Sequence, residues 1–144
     1  MAAEGRAIDL LGDAGTIKAI SGLYETAAWG KTDQPAFLNQ AILLETTLAA
    51  RALLQAVLAI EEKLGRRREL KYGPRIIDID ILFYNRDIID EPGLAVPHPE
   101  IQNRRFALEP MNEIAGKFIH PVLEKTIAEL LVICPDKLDV KLWV

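Results

Sequence analysis

The chain has 144 residues and a mass of 16.0 kDa and is 50% apolar and 26% charged, values that fit one folded domain over residues 1–144 and argue against disorder or two separate cores. Its net charge of −4 and pI near 5.2 argue against a protein that coats nucleic acid, so any anion site must be local. The single cysteine, Cys134, excludes an intrachain disulfide and a cysteine-rich zinc centre and fits a reducing compartment, so a cytoplasmic location is expected.

Ala2 to Leu11 reads as a short helix with Ile8, Leu10 and Leu11 inward, ended by Gly12-Asp13-Ala14-Gly15. This opening stretch lacks the basic start and apolar core of an export signal. Thr16 to Tyr24 follows as a strand with Ile17, Ala19, Ser21 and Leu23 on one face. Glu25 to Pro35 is a loop, and Ala36 to Thr46 is the next strand, with Asn39 and Glu45 sharing a face. The longest uncharged stretch, Gln34 to Leu44, falls short of the roughly 18 apolar residues of a membrane span, so no crossing is expected. Leu53, Leu54, Val57, Ile60 and Leu64 recur at helical spacing opposite Arg51, Gln55, Glu62 and Lys63, with Gly65 just past the helix end. Arg66 to Pro74 reads as an exposed, mobile loop leading to a strand over Ile76 to Tyr84. Asn85-Arg86-Asp87 turns the chain into Ile88-Ile89. Beyond the proline-containing segment Pro92 to Pro99, a helix is expected over Glu100 to Leu108, with Pro110 opening a second short one. Thr126 caps Ile127 to Ile133 before Pro135, and Asp139 to Trp143 forms a terminal strand. This order describes an α+β fold, helices on a mainly antiparallel sheet, arranged as a split βαβ unit without its first strand.

Asp78 and Asp80 stand two apart in an apolar run, which on a strand puts both carboxylates on one face with Cα atoms about 6–7 Å apart. Such a pair repels itself, and a hard cation such as Mg²⁺ would remove the conflict; a solvated sheet face is the competing reading. Just before it, Arg66, Arg67, Arg68, Lys71 and Arg75 stand against the single acid Glu69. Cationic side chains beside metal-type carboxylates are what phosphoryl transfer requires, although a solvated loop has the same composition. A nucleic-acid patch is disfavoured by the pI and by Tyr72 being the one aromatic in the run. His98, held between Pro97 and Pro99, can contact a phosphate or act as an acid, while His120 reads as structural. Thr26, Trp29, Phe37 and Asn39 have the makings of an aromatic wall with polar partners for a flat heterocycle, or of ordinary core.

Taken together, Leu23-Tyr24-Glu25-Thr26-Ala27-Ala28-Trp29-Gly30, Asp33-Gln34-Pro35-Ala36-Phe37-Leu38-Asn39, Glu61-Glu62-Lys63-Leu64-Gly65-Arg66, Gly73-Pro74-Arg75-Ile76-Ile77-Asp78-Ile79-Asp80-Ile81 and Val96-Pro97-His98-Pro99 with Arg104 and Phe106 resemble the 6-hydroxymethyl-7,8-dihydropterin pyrophosphokinases. The resemblance runs in order from about Glu4 to Thr126. It implies a ferredoxin-like α+β sandwich and an enzyme of folate biosynthesis. That enzyme would use ATP as co-substrate, with two Mg²⁺ ions, and transfer pyrophosphate to the pterin hydroxymethyl group with release of AMP. By matching position, Asp78 and Asp80 would hold the metals, Arg66 and Arg75 would grip phosphates, and Arg68, Tyr72, Ile81, His98 and Arg104 would contact ATP. Thr26, Trp29, Phe37, Asn39 and Phe106 would form the pterin site, the ring stacking between Phe37 and Phe106. A monomer without nucleic-acid or membrane partners is expected.

Three positions depart from the family. Leu58 stands where many relatives carry a nucleotide-contacting Gln, and Ala27 and Ala28 replace frequent prolines. The family's first strand and its Gly-Ser-Asn turn have no counterpart. The expectation is that roughly ten apolar-alternating residues precede Met1 in the natural protein and end in a Gly-containing turn. The same departure motivates an alternative, a non-catalytic relative that binds a nucleotide or pterin. A metal-dependent nuclease built on Asp78 and Asp80 lacks a further acidic cluster beside them.

Overall fold

The computed structural model describes residues 2–26, 37–65 and 78–143. Among the described residues, four helices, α1 (Ala2–Leu11), α2 (Ala50–Lys63), α3 (Arg105–Ala115) and α4 (Ile127–Ile133), combine with seven short strands. These are β1 (Thr16–Ile20), β2 (Tyr24–Thr26), β3 (Phe37–Asn39), β4 (Ile42–Glu45), β5 (Ile89–Glu91), β6 (Leu94–Val96) and β7 (Val140–Leu142). The result is a mixed helix and antiparallel-sheet fold, as the α+β reading expects. No helix among the described residues is long and apolar enough to cross a membrane. The chain divides into two compact units, Met1–Ile17 with Leu44–Ile81, and Lys18–Leu43 with Leu82–Val144.

In the first unit α1 packs on α2. The helical spacing read in α2 is realised: Leu53, Val57, Ile60 and Leu64 are buried with Ala7 and Leu11 of α1, while Arg51, Gln55, Glu62 and Lys63 face water. Gly65, at φ 114°, follows the C-cap Leu64 in a conformation that side chains resist. The turn leaving α1 passes against the end of β4 so closely that a Cβ on Gly15 would collide with the Glu45 carbonyl oxygen. Thr46 Oγ1 donates to the Ala14 carbonyl at 2.6 Å and accepts the Leu48 N–H at 3.1 Å, closing the same junction.

In the second unit β2 is the middle strand of the sheet β3-β2-β7. Tyr24 faces Asn39 on one side and Leu142 on the other, and Thr26 faces Phe37 and Val140. The terminal strand expected from Asp139 to Trp143 is therefore β7. The core below contains Ile101, Leu108, Ile127, Leu130 and Cys134, with Leu82, Phe83, Ala107, Met111, Phe118 and Leu131 around them. α4 begins as expected, at Thr126: Thr126 Oγ1 accepts the Glu129 N–H at 3.1 Å, and Glu129 Oε1 accepts the Thr126 N–H at 2.8 Å.

Several expected boundaries move, each for a readable reason. The strand expected over Thr16 to Tyr24 breaks at residues 21–23, and the one over Ala36 to Thr46 breaks at Gln40 and Ala41. Ser21 Oγ accepts the Ala41 N–H at 2.9 Å, and Gln40 Nε2 donates to the Ser21 carbonyl at 2.7 Å, so where the two breaks face each other side chains replace ladder bonds beside the one that remains, Ser21 N–H to the Ala41 carbonyl at 2.9 Å. Residues 25 and 26, expected in a loop, belong to β2. The strand expected over Ile76 to Tyr84 is absent from its described part: the Ile79 N–H donates to the Glu61 carboxylate and the Leu82 carbonyl accepts the His98 N–H at 2.8 Å. The helix expected over Glu100 to Leu108 splits into a 3-10 turn at Ile101–Asn103 and α3, because Arg104 is extended. Asp136 Oδ2 then accepts the Arg105 N–H at 3.3 Å, starting α3 there. Pro110 lies inside α3 rather than opening a new helix. The N–H it lacks would have served the Phe106 carbonyl, a loss of about 3 kcal/mol in an exposed helix that complete burial of the ring offsets. An unexpected hairpin joins β5 to β6 through Pro92-Gly93, with Gly93 at φ 77° as the third residue of the turn.

Gly15→Ala should lower the unfolding free energy by about 2–3 kcal/mol, because the added methyl meets backbone rather than a side chain that could swing away. Urea denaturation of the two proteins measures it.

Candidate functional site

The acidic pair sits in the first unit. Asp78 and Asp80 are exposed while Ile79 and Ile81 are half-buried, so the alternation expected of a strand survives without its ladder. What holds the stretch is Glu61, in the last turn of α2 and only 4% exposed, whose carboxylate accepts the N–H of Ile79 between the two aspartates. A carboxylate there faces the negative end of the helix dipole and is out of water, so it requires donors around it. Glu61 escaped the sequence reading, which placed Glu62 and Lys63 on the polar face. The signal was available: Glu61 lies four residues after Val57, in the apolar stripe where a charge is out of place.

Two carboxylates on one side of a pinned segment supply hard oxygen donors, and among the described residues no cluster of three or more His, Cys, Asp or Glu is placed to form a protein cage. That donor set fits Mg²⁺, which binds through one or two carboxylates and completes its octahedron with water and phosphate oxygens.

The remaining described candidates lie in the second unit. His98 is half-buried; its Nδ1 accepts the Glu100 N–H at 3.1 Å, which leaves the ring proton of the neutral imidazole on Nε2. The Arg104 guanidinium lies 5.8 Å from the centre of the Phe106 ring, so the charge is held by a cation–π contact at the start of α3. Thr26 ends β2 at 4% exposure, and its Oγ1 has no partner among the described residues. Asn39 closes β3 opposite Tyr24, and Phe37 lies opposite Thr26 in the register. Trp29, Arg66, Arg68, Tyr72 and Arg75, with Ala27, Ala28 and the expected mobile loop, lie outside the described residues. Leu58 is 45% exposed on α2.

Another residue missed from the sequence is Glu113 on α3. Its Oε1 accepts the Tyr24 hydroxyl at 2.8 Å and the Gly22 N–H at 3.1 Å, and its Oε2 lies 3.3 Å from the same N–H. Burial, the hydrogen bond to Glu113 and the charges of Glu113 and Glu109 push the Tyr24 hydroxyl up to about 12, so it stays a donor at any working pH. Gly22 and Tyr24 are some ninety positions from Glu113, and only the tertiary fold joins them. A cavity of about 230 Å³, lined by Gln102, Asn103, Leu123, Lys125, Leu130, Ile133 and Pro135, contains none of the residues singled out in the sequence.

His120 is structural, as expected. It is buried, its ring packs edge-on at 5.5 Å from Phe83, and its Nδ1 accepts the N–H groups of Val122 and Leu123 at 3.1 and 3.0 Å. Burial holds the imidazole below its ordinary 6.5. The unfolded chain therefore binds a proton that the folded chain refuses. The stability His120 contributes is complete above pH 6.5 and drains away as the pH falls through the lower folded value. His120→Asn, which keeps an acceptor for both N–H groups but does not titrate, should flatten the fall in melting temperature between about pH 7 and pH 5.5.

The sequence profile of the family described as 7,8-dihydro-6-hydroxymethylpterin-pyrophosphokinase matches residues 3–116. The chain is 40% identical over 124 residues to the 2-amino-4-hydroxy-6-hydroxymethyldihydropteridine pyrophosphokinase of Aquifex aeolicus, covering 86% of this chain and 78% of that protein. It is 45% identical over 128 residues to the protein of the same name in Bacillus subtilis, covering 89% and 72% respectively. It also matches the folic acid synthesis protein fol1 of Pneumocystis carinii, 43% identical over 106 residues, which are 74% of this chain and 14% of that much longer protein.

Proposed function

The chain belongs to the 7,8-dihydro-6-hydroxymethylpterin-pyrophosphokinase family, and from that membership we propose that it transfers pyrophosphate from ATP to the hydroxymethyl group of 6-hydroxymethyl-7,8-dihydropterin in folate biosynthesis, releasing AMP. The observation that carries the reading is the acidic pair. Asp78 and Asp80 both face water from a segment whose backbone is pinned by Glu61, and both lie inside the stretch that matches the family. Asp78 and Asp80 would hold two Mg²⁺ ions, which when bound supply charge neutralisation along the phosphate chain. The pterin hydroxyl oxygen would bond to the β-phosphorus as the bond from that phosphorus to the oxygen of AMP breaks in line with it. There is little covalent work for the protein, so its contribution is positioning and electrostatics.

Arg66 and Arg75 would grip phosphate oxygens. Arg68, Tyr72, Ile81, His98 and Arg104 would contact the nucleotide, His98 donating from Nε2 and Arg104 presenting a charge braced by Phe106. Thr26, Trp29, Phe37, Asn39 and Phe106 would bind the pterin. The buried Thr26 hydroxyl, which has no partner among the described residues, supports that role, because a polar group in that state costs about 1–3 kcal/mol until something pairs with it. The strand arrangement is proposed to be ferredoxin-like, the 144 residues to act as one pyrophosphokinase domain, and the protein to work as a monomer.

The test is AMP release from ATP and Mg²⁺ in the presence and absence of 6-hydroxymethyl-7,8-dihydropterin. Asp78→Asn and Asp80→Asn should each cut turnover by about a hundredfold or more, while the melting temperature without Mg²⁺ stays equal or rises as carboxylate repulsion is relieved. Near-normal release by both variants would refute the metal role. Arg75→Ala should depress kcat more than it raises the pterin KM, since a contact to the transferring phosphates strengthens as their charge redistributes. Single-turnover measurements separate the two.

A further inference from the structure

The second unit contains a polar contact that neither packing nor the proposed chemistry accounts for. One carboxylate, Glu113, takes the Tyr24 O–H at 2.8 Å and the Gly22 N–H at 3.1 Å. Gly22 is where the long strand breaks, and Tyr24 is the first residue of β2. Tyr24 and Thr26 are two apart on one strand, and Asn39 lies directly opposite Tyr24, so all three occupy the same face of the ribbon. α3 packs against β2 and β3. On α3, Phe106 lies seven residues before Glu113, two turns along the same side of the helix. A single helix thus carries at its start the proposed aromatic wall of the pterin site, and near its end the group that grips the strand bearing that site's proposed polar partners.

From this arrangement we infer that Glu113 is a positioning residue for the pterin: by holding Tyr24 and Gly22 it fixes β2, and with it Thr26 and Asn39, relative to Phe106 on the same helix. The inference rests on the proposed function. β2 is only three residues long, so even with a partner strand on each side it has few ladder bonds, and those fix its place in the sheet rather than its distance from α3. The clamp supplies charge-assisted hydrogen bonds at the end of β2 opposite Thr26. A flat ring bound by hydrogen bonds from one side and stacking from the other tolerates little error in that spacing. Glu113 is itself exposed, so removing it leaves no buried charge behind and the fold should survive.

The experiment measures kcat and both KM values for the intact chain and for Tyr24→Phe, Glu113→Ala, Glu113→Gln and the Tyr24→Phe/Glu113→Ala double variant. It adds calorimetric titration of the pterin in the presence of a non-hydrolysable ATP analogue and Mg²⁺. Tyr24→Phe and Glu113→Ala should raise the pterin KM and Kd by about three- to tenfold while the KM for ATP stays within about twofold. Glu113→Gln, with an acceptor oxygen at the same reach, should recover most of the loss, and the double variant should be little worse than Glu113→Ala. If Glu113→Ala fails to fold, Tyr24→Phe, which deletes one oxygen and keeps the ring, decides the matter. Variants whose melting temperature drops while both KM values move together, or neither moves, overturn the clamp and leave the pyrophosphokinase reading standing. An unsubstituted protein that neither binds nor turns over the pterin overturns that reading, and the clamp with it.

Discussion

A backbone N–H taken out of water must find an acceptor, and in a chain whose sheet strands are three to five residues long the ladders end before all of them are served. Side chains make up the difference. Glu61 takes the N–H of Ile79, Ser21 that of Ala41, Glu113 that of Gly22, Asp136 that of Arg105, and His120 those of Val122 and Leu123. Each of these bonds is also an address. It fixes where a strand stops, where a helix starts, or which way a loop faces, and the functional candidates sit beside several of them. Asp78 and Asp80 flank the N–H held by Glu61, and Thr26 closes the strand that starts just after the N–H held by Glu113.

This dependence explains what could be read in the sequence. α1, α2, α4 and the terminal strand came out because their signals are local: an apolar stripe at helical spacing, a threonine cap with its glutamate three residues on, a glycine past the helix end. The interruptions were hidden because their causes are remote. No window around Ser21 or Gly22 contains Ala41 or Glu113, and nothing near Pro110 announces that burial will keep it inside a helix. The Pro92-Gly93 hairpin was local and could have been found, since that dipeptide favours a turn with a positive φ at its second residue. In the candidate site, the two-residue spacing of Asp78 and Asp80 is legible in the sequence and so is the misplaced charge of Glu61 in the apolar stripe of α2, whereas Glu113 looks like an ordinary helix-surface carboxylate until its distant partners are known.

Electrostatics set a second requirement. An acidic protein of net charge −4 proposed to bind a nucleoside triphosphate starts with repulsion at long range. The five basic residues from Arg66 to Arg75 reverse the local sign immediately before the two aspartates. In the proposed function, Mg²⁺ carried with the phosphates would reduce the repulsion further.

Cys134, the single cysteine, is fully buried among Ile127, Leu130 and Leu108 where α4 ends. A thiol reagent cannot reach it while that cluster is closed. The chain therefore carries a native stopwatch. In the presence of a fast colorimetric disulfide reagent, the modification rate reports how often the hydrophobic cluster of the second unit opens, without any engineered label and without a signal from the first unit.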